Sequence, residues 1–192
     1  NGVVFDKDKY VLRLYPYGKK DEAYTIPEGV TELGGDSFWG NYHLKTVLLP
    51  SNVEKIGFGA FAWCDNLEAI EVSLDNETYC EVGGVLYSKD LTEIVLYPCG
   101  KDGDSYTIPN SVNRIGEGAF YCCFSLRSID IPNSVTEIGS DAFSDCSNLK
   151  YITLPSRIEE IAYWAFAYCS SLERVYIPEG VTSIQEGAFD EC

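Results

Sequence analysis

A mostly-β, right-handed solenoid of about seven stacked 23-residue coils is the fold class predicted by this 192-residue chain. Three regularities predict it: apolar-proline pairs at a fixed step, a phenylalanine at a fixed distance after each pair, and cysteines on the same step. The pairs are Ile26-Pro27, Leu49-Pro50, Ile108-Pro109, Ile131-Pro132, Leu154-Pro155 and Ile177-Pro178, and four of the five steps between them are 23 residues. The fifth step is 59, room for one ordinary coil and one carrying 13 extra residues. Ser73, after Ile70-Glu71-Val72, takes the proline's place in the ordinary one. Self-similarity at such a period marks stacked units that share one core, which overrides length as a guide to domain number. The chain therefore reads as a single repeat domain over 1–192, with longer hairpin coils near 1–27 and 74–109. It opens part-way into a repeat without a Met, and reads as a segment of a longer protein.

Each coil has the same elements in the same order. In Leu149-Lys-Tyr-Ile-Thr-Leu-Pro155, Ile152 and Leu154 alternate with Tyr151 and Thr153, the pattern of a strand with one buried face. Proline removes a backbone donor and ends the strand at the same place in every coil. Ile158 and Ile161 mark a second, shorter extended run, and Ala165-Phe166 then reads as a tight turn or a short helical or 3-10 turn opposite the parallel sheet face. Coils stack at the strand spacing of about 4.8 Å. Phe38, Phe61, Phe120, Phe143, Phe166 and Phe189 would then form one internal spine. Each is worth on the order of 1.5–3 kcal/mol on burial.

A longer period lies above the short one. Gly2-Val3 through Ile26-Pro27 matches Gly84-Val85 through Ile108-Pro109 at an offset of 82 residues. Both copies hold an apolar run, a polar break (Asp6-Lys7-Asp8-Lys9; Ser88-Lys89-Asp90) and a second apolar run. This predicts two β-hairpin insertions that project from the stack.

Cys123, Cys146, Cys169 and Cys192 stand 23 apart, each three residues after a spine phenylalanine; Cys64 fills the same slot, and Asn41 fills it after Phe38. Asn and Cys are both small, and both place a donor near exposed turn carbonyls, so the six form a structural ladder. Ladder disulfides are disfavoured, because the Cβ vectors of stacked coils run parallel whereas a disulfide needs converging side chains. Cys80 and Cys99 flank the second hairpin, whose ends come together, so a bridge there stays open beside two thiols. Cys122, next to the ladder, is expected to point elsewhere. No C-x-x-C pair occurs, and thiols in a line make no tetrahedron, so no metal site is expected.

The chemistry is sparse. The lone histidine, His43, falls in an exposed turn, where it is expected to be solvated. No nucleophile-elbow, phosphate-loop or dinucleotide signature is present. Asp75-Asn-Glu77 and Asp102-Gly-Asp104 resemble fragments of calcium loops but read as solvated acidic loops, and Asn76-Glu-Thr78 is a glycosylation sequon. A net charge of −16 repels phosphate backbones and anionic headgroups, which excludes nucleic acid and membrane-surface binding. No apolar run is long enough to insert in a membrane. We therefore expect no enzyme activity and no cofactor.

What remains is the outward face of the strands. One row reads Thr25, Leu48, Glu71, Thr107, Asp130, Thr153, Tyr176, and its neighbour Ala23, Thr46, Ala69, Ser105, Ser128, Tyr151, Arg174. Tyr and Arg dominate interface hot spots, so Tyr151, Thr153, Arg174 and Tyr176, with Asp130, are the ligand-contact candidates.

Strings such as Ile131-Pro-Asn-Ser-Val-Thr-Glu-Ile-Gly139 and Asp141-Ala-Phe-Ser-Asp-Cys146, with the Gly84–Tyr87 coil, resemble the BspA-like, or Treponema-type, leucine-rich repeats. The likeness covers essentially the whole chain; Asn41 in the cysteine slot and Ser73 in the proline slot depart from it. It implies a bacterial protein at the cell surface or outside the cell, in a family implicated in adhesion to host matrix proteins and to other bacteria. The expected function is thus a binding or adhesion module for a protein or glycan. The alternatives are a structural spacer, or the recognition arm of an enzyme whose catalytic domain lies elsewhere.

Overall fold

The computed structural model describes residues 2–192. They form two compact units, residues 2–89 with 98–101 and residues 90–97 with 102–192.

The earlier unit contains β1 (Val4–Phe5), β2 (Val11–Leu14), β3 (Ala23–Thr25), β4 (Glu32–Leu33), β5 (Thr46–Leu49), β6 (Lys55–Ile56), β7 (Ala69–Val72), β8 (Tyr79–Val82) and β9 (Val85–Ser88). Strands β3, β5 and β7 make a first parallel ribbon, in which Ala23, Thr46 and Ala69 stand in register, as do Thr25, Leu48 and Glu71. Strands β2, β4 and β6 make a second, with Val11, Glu32 and Lys55 in line. β1 pairs antiparallel with β2, Val4 opposite Leu14. The expected projection is corrected here. The hairpin's return strand is itself a member of the second ribbon, and its Leu12 is fully buried. In the second copy the counterpart of β1, β9, pairs antiparallel with β8 through four residues, around a Gly83-Gly84 turn with φ of 60° and 83°. Left-handed residues at both central positions match the turn to the strands' twist, and glycine supplies them without strain.

The later unit contains β10 (Glu93–Leu96), β11 (Ser105–Thr107), β12 (Arg114–Ile115), β13 (Ser128–Asp130), β14 (Glu137–Ile138), β15 (Tyr151–Thr153), β16 (Glu160–Ile161), β17 (Arg174–Tyr176) and β18 (Ser183–Ile184). Its first ribbon runs β11-β13-β15-β17; its second runs β10-β12-β14, with β16 and β18 paired in parallel beyond. The first ribbons hold the seven strands that the proline spacing requires. The second ribbons gain β2 and β10 from the longer coils, which brings the solenoid to about eight turns.

The third side of each coil corrects another expectation. No helix or 3-10 turn occurs among the described residues. Two left-handed residues flank every spine phenylalanine instead, two places before and two after it. They are Asp36 and Gly40, Gly59 and Trp63, Gly118 and Cys122, Asp141 and Asp145, Trp164 and Tyr168, Gly187 and Glu191. This alternation turns successive N–H groups toward the next coil rather than along a helix axis. Phe38 donates to the Ala60 carbonyl at 2.7 Å and Gly40 to Ala62 at 2.9 Å. Phe143 donates to Ala165 at 2.8 Å and Asp145 to Ala167 at 2.8 Å. A third hydrogen-bond ladder thus runs through residues that are not strands. Trp63, Trp164 and Tyr168 hold φ of 56–59°, which costs a side-chain-bearing residue on the order of 1 kcal/mol or more.

Inside, the aromatic rings stack. In the earlier unit Tyr15, Phe38 and Phe61 follow at 5.1 and 4.8 Å. In the later unit Tyr97, Phe120, Phe143, Phe166 and Phe189 follow at 5.2, 5.0, 5.3 and 5.4 Å, with interplanar angles of 4–25°. Each unit therefore has a phenylalanine stack headed by a buried tyrosine of its longer coil. Beside the spine every coil carries alanine (Ala60, Ala119, Ala142, Ala165, Ala188) except one, where Ser37 is buried with its hydroxyl unpartnered. Ser37→Ala is expected to stabilise the chain by about 1 kcal/mol, since it removes a desolvated hydroxyl without opening a cavity. Thermal melting checks this, and a lowered midpoint would contradict it.

Candidate functional site

The recurrent polar slot of the repeat is structural in its geometry. All eight cysteines are thiols. The ladder thiols reach back one coil to the carbonyl of the preceding spine residue: Cys64 to Phe38 at 3.1 Å, Cys146 to Phe120 at 3.2 Å, Cys169 to Phe143 at 3.2 Å and Cys192 to Phe166 at 3.1 Å. Cys123 reaches the Tyr97 carbonyl at 3.6 Å. Burial pushes the Cys64 and Cys169 thiols up to about 12, so both stay protonated donors at neutral pH. Cys122 is buried as well. Cys80 donates its thiol to the Ser88 carbonyl at 3.2 Å.

Asn41 does the same work with a stronger donor. Its Nδ2 reaches the Pro16 carbonyl at 3.1 Å, while its Oδ1 accepts from the His43 and Leu44 amides at 3.0 and 2.9 Å. His43 itself is exposed. The sequence reading missed a second asparagine of this kind. Asn76 is fully buried; its Nδ2 donates to the Pro50 and Val53 carbonyls at 2.8 and 3.0 Å. Its Oδ1 accepts from Thr78 and Tyr79 at 2.9 and 2.7 Å. The sequon is thus a buried bracket that launches β8, not a glycan acceptor. The available signal was arithmetic: two 23-residue steps beyond Val30 and one beyond Val53, a slot that is apolar elsewhere holds Asn76.

The ligand-contact candidates lie on the outward face of the later unit's first ribbon. Tyr151 and Arg174 are register partners, as are Thr153 and Tyr176. Tyr151 is 50% and Tyr176 55% exposed. The Tyr151 hydroxyl donates to Glu173 at 3.1 Å, which pushes the phenol's pKa up. Arg174 donates to the Tyr176 hydroxyl at 3.3 Å and lies 6.0 Å from that ring's centre. Asp130, two coils earlier than Tyr176, accepts from the Thr107 hydroxyl at 3.3 Å. These side chains form a contiguous, rigid, amphipathic patch of the kind that supplies contact area at small entropic cost. The arrangement offers polar and aromatic contact groups: two phenol hydroxyls, a guanidinium and the Glu173 and Asp130 carboxylates. Among the described residues no group of three or more His, Cys, Asp or Glu could hold a metal ion, and no helix is long and apolar enough to cross a membrane.

One carboxyl is strongly displaced. Asp141, in a left-handed turn position, is pushed up to about 6, by burial first and then by Glu117 and Asp145. A carboxyl whose folded pKa exceeds its unfolded one favours the folded state as pH falls through that value, and costs stability above it. Asp141→Asn keeps a residue that tolerates the left-handed turn. It is expected to stabilise the chain at pH 7–8 by about 1 kcal/mol, after allowance for solvent screening. The gain should fade as pH drops from about 6 to about 4. Melting curves across that range check the sign; a gain that grows toward acid contradicts it.

A solenoid of short parallel strands, with a one-per-coil Cys/Asn ladder and an exposed ribbon, defines the leucine-rich-repeat class of recognition scaffolds. The family model described as "BspA type Leucine rich repeat region" matches in six copies over residues 17–98 and 99–192. The chain belongs to that family. Among solved structures it is similar to a leucine rich cell surface protein of Faecalibacterium prausnitzii, at 34% identity and a TM-score of 0.76, covering 88% of this chain and 51% of that one. A leucine-rich repeat protein of Eubacterium ventriosum shows 28% identity and a TM-score of 0.53, with 87% and 63% covered. The leucine rich repeat protein of T. pallidum shows 28% identity and a TM-score of 0.52, with 95% and 81% covered. This chain thus spans about half the length of the F. prausnitzii protein. No curated protein sequence matches it.

Proposed function

We propose that this repeat segment is the binding module of a bacterial surface or secreted protein. It holds a protein or glycan partner, such as a host matrix protein or a component of another bacterium's surface, against the first ribbon of its later unit. The observation that carries the reading is the Tyr151–Arg174–Tyr176 patch: two half-exposed tyrosines and an arginine on adjacent strands, backed by the buried Ile152. The F. prausnitzii relative is named a cell surface protein, which supports the location. A sheet face needs no such residues to be soluble, as the small and polar side chains of Ser105, Thr107 and Ser128 on the same ribbon illustrate. We further propose that residues 1–192 work as one repeat domain, with no catalytic step of their own.

Immobilised chain challenged with purified matrix proteins and bacterial surface glycans, read by interferometry, tests this. A specific partner should be retained, and Tyr151→Ala with Tyr176→Ala should weaken it by at least about tenfold, the scale of an interface hot spot. Retention of nothing specific would favour a spacer, and an undiminished affinity would move the site off this face.

A further inference from the structure

The turn side of the later unit departs from the repeat in one place. Elsewhere each coil with a spine phenylalanine fills one of its two left-handed positions with glycine: Gly40, Gly59, Gly118 or Gly187. Two successive coils have none. One holds Asp141 and Asp145, with φ of 53° and 60°; the next holds Trp164 and Tyr168, with φ of 56° and 57°. Aspartate tolerates this conformation through its short polar side chain, whereas a bulky aromatic residue there is an outlier. Burial does not offset the strain, because Trp164 stays 36% and Tyr168 44% exposed. Between them Ala165, Phe166 and Ala167 are fully buried, so the two rings are what this turn presents to solvent. The turn ladder sets the acids beside them: the Asp141 amide donates to the Tyr163 carbonyl at 3.0 Å, and the Asp145 amide to Ala167 at 2.8 Å. On the other side the indole lies across Gly187, where an added Cβ would meet three of its ring atoms at 2.7–2.8 Å.

We propose that Trp164 and Tyr168, with Asp141 and Asp145, form a carbohydrate-binding platform that takes a neutral oligosaccharide. Such a ligand carries both complements at once. Its pyranose rings have apolar C–H faces that lie against an aromatic ring, and their hydroxyls donate to carboxylate oxygens. An aromatic side chain supplies a large, rigid contact area. An ionised carboxylate only accepts, and its hydrogen bonds are roughly twice as strong as neutral ones. The acids stand one coil from the rings, about 4.8 Å away, so a sugar seated on a ring brings its edge hydroxyls to them. Nucleotides also stack on aromatic rings, but a net charge of −16 turns their phosphates away. A polypeptide has few free donors to offer, because its amides are largely paired. The acids themselves sit at a cost: burial pushes both carboxyls up, that of Asp141 to about 6. Strained and destabilising residues gathered on one surface mark a functional site rather than a packing one. Backbone ladders hold all four in place, so little ordering remains to be done on binding. The platform lies on a different side of the coil from the Tyr151–Tyr176 patch, so either site stands without the other.

The test is NMR titration of the full chain, read at its amide and indole N–H signals, with neutral hexasaccharides of glucose, of mannose and of N-acetylglucosamine. At least one sugar should shift the Trp164 indole signal along a saturable curve. Trp164→Gly with Tyr168→Gly, which installs the residue other coils use, should weaken that binding by at least about tenfold, the scale of losing two ring contacts. Asp141→Asn with Asp145→Asn keeps the rings and the turn, and so guards against a folding defect in the glycine variant. It should weaken binding by about fivefold, the scale of exchanging charged acceptors for neutral ones. Tyr151→Ala with Tyr176→Ala should change it by less than about twofold, as for residues that share no partner with the site. Undiminished affinity in either platform variant would overturn the proposal, and so would binding of none of the three sugars. Displacement of the sugar by a lysine hexapeptide would assign the rings to a cationic partner and overturn it as well.

Discussion

Phe143→Ala is expected to lower the stability of the chain by about 3–5 kcal/mol, the cost of truncating a large buried aromatic. Its ring is 1% exposed and lies between Phe120 at 5.0 Å and Phe166 at 5.3 Å, nearly parallel to both. Most cores relax part of such a cavity by shifting an element. Here the coil is held at strand spacing to both neighbours by the first ribbon and by the turn ladder, and to the preceding coil by the second ribbon as well, so collapse is opposed and the cost belongs at the upper part of the range. Phe189 is only half-buried and stacks on one side alone, so Phe189→Ala should cost clearly less. Urea unfolding with an unchanged slope checks both, and a loss under about 1 kcal/mol for Phe143 would contradict the stacked core.

Asn76→Val restores the apolar residue that other coils carry at this slot, and it is nevertheless expected to destabilise by about 4 kcal/mol. The valine fits the repeat but cannot hold what the longer coil adds. The Pro50 and Val53 carbonyls lose their donor, and the Thr78 and Tyr79 amides lose their acceptor, all beside a fully buried position. Each such group costs about 1–3 kcal/mol if it stays unpaired. Local opening to water trims the sum, at the expense of the β8–β9 hairpin. Chemical unfolding measures the loss, and hydrogen exchange at Thr78 and Tyr79 locates it. A neutral or stabilising Asn76→Val would show that the asparagine is incidental.

These two residues mark the boundary of what could be read without coordinates. Phe143 was legible, because a side chain that recurs every 23 places in a solenoid has nowhere to go but onto its counterpart. The strands before each proline were legible for the same reason, and so was the thiol slot, where Asn41 showed that a donor was wanted. Asn76 obeyed the same arithmetic, yet it sat in a stretch without proline, where its neighbours suggested an acidic loop and a sequon. The turns stayed open between a tight turn and a helical or 3-10 one, because Ala-Phe flanked by polar residues suits either, and only the tight turn is present. The left-handed positions are filled by Gly, Asp, Trp, Cys, Tyr and Glu, and only the glycines and aspartates advertise the conformation. The hairpin's return strand was expected to project, since nothing in an apolar run says which edge it will join.

Beneath all of this lies nearest-neighbour stacking, and a double-mutant cycle addresses it directly. Phe143→Leu and Phe166→Leu, alone and together, should show a coupling of about 1 kcal/mol, the scale of a stacked aromatic pair. The pair Phe143→Leu and Phe189→Leu, two coils apart, should be additive within about 0.5 kcal/mol. Additivity in the first cycle, or equal coupling in the second, would contradict the register from which every site described above is built.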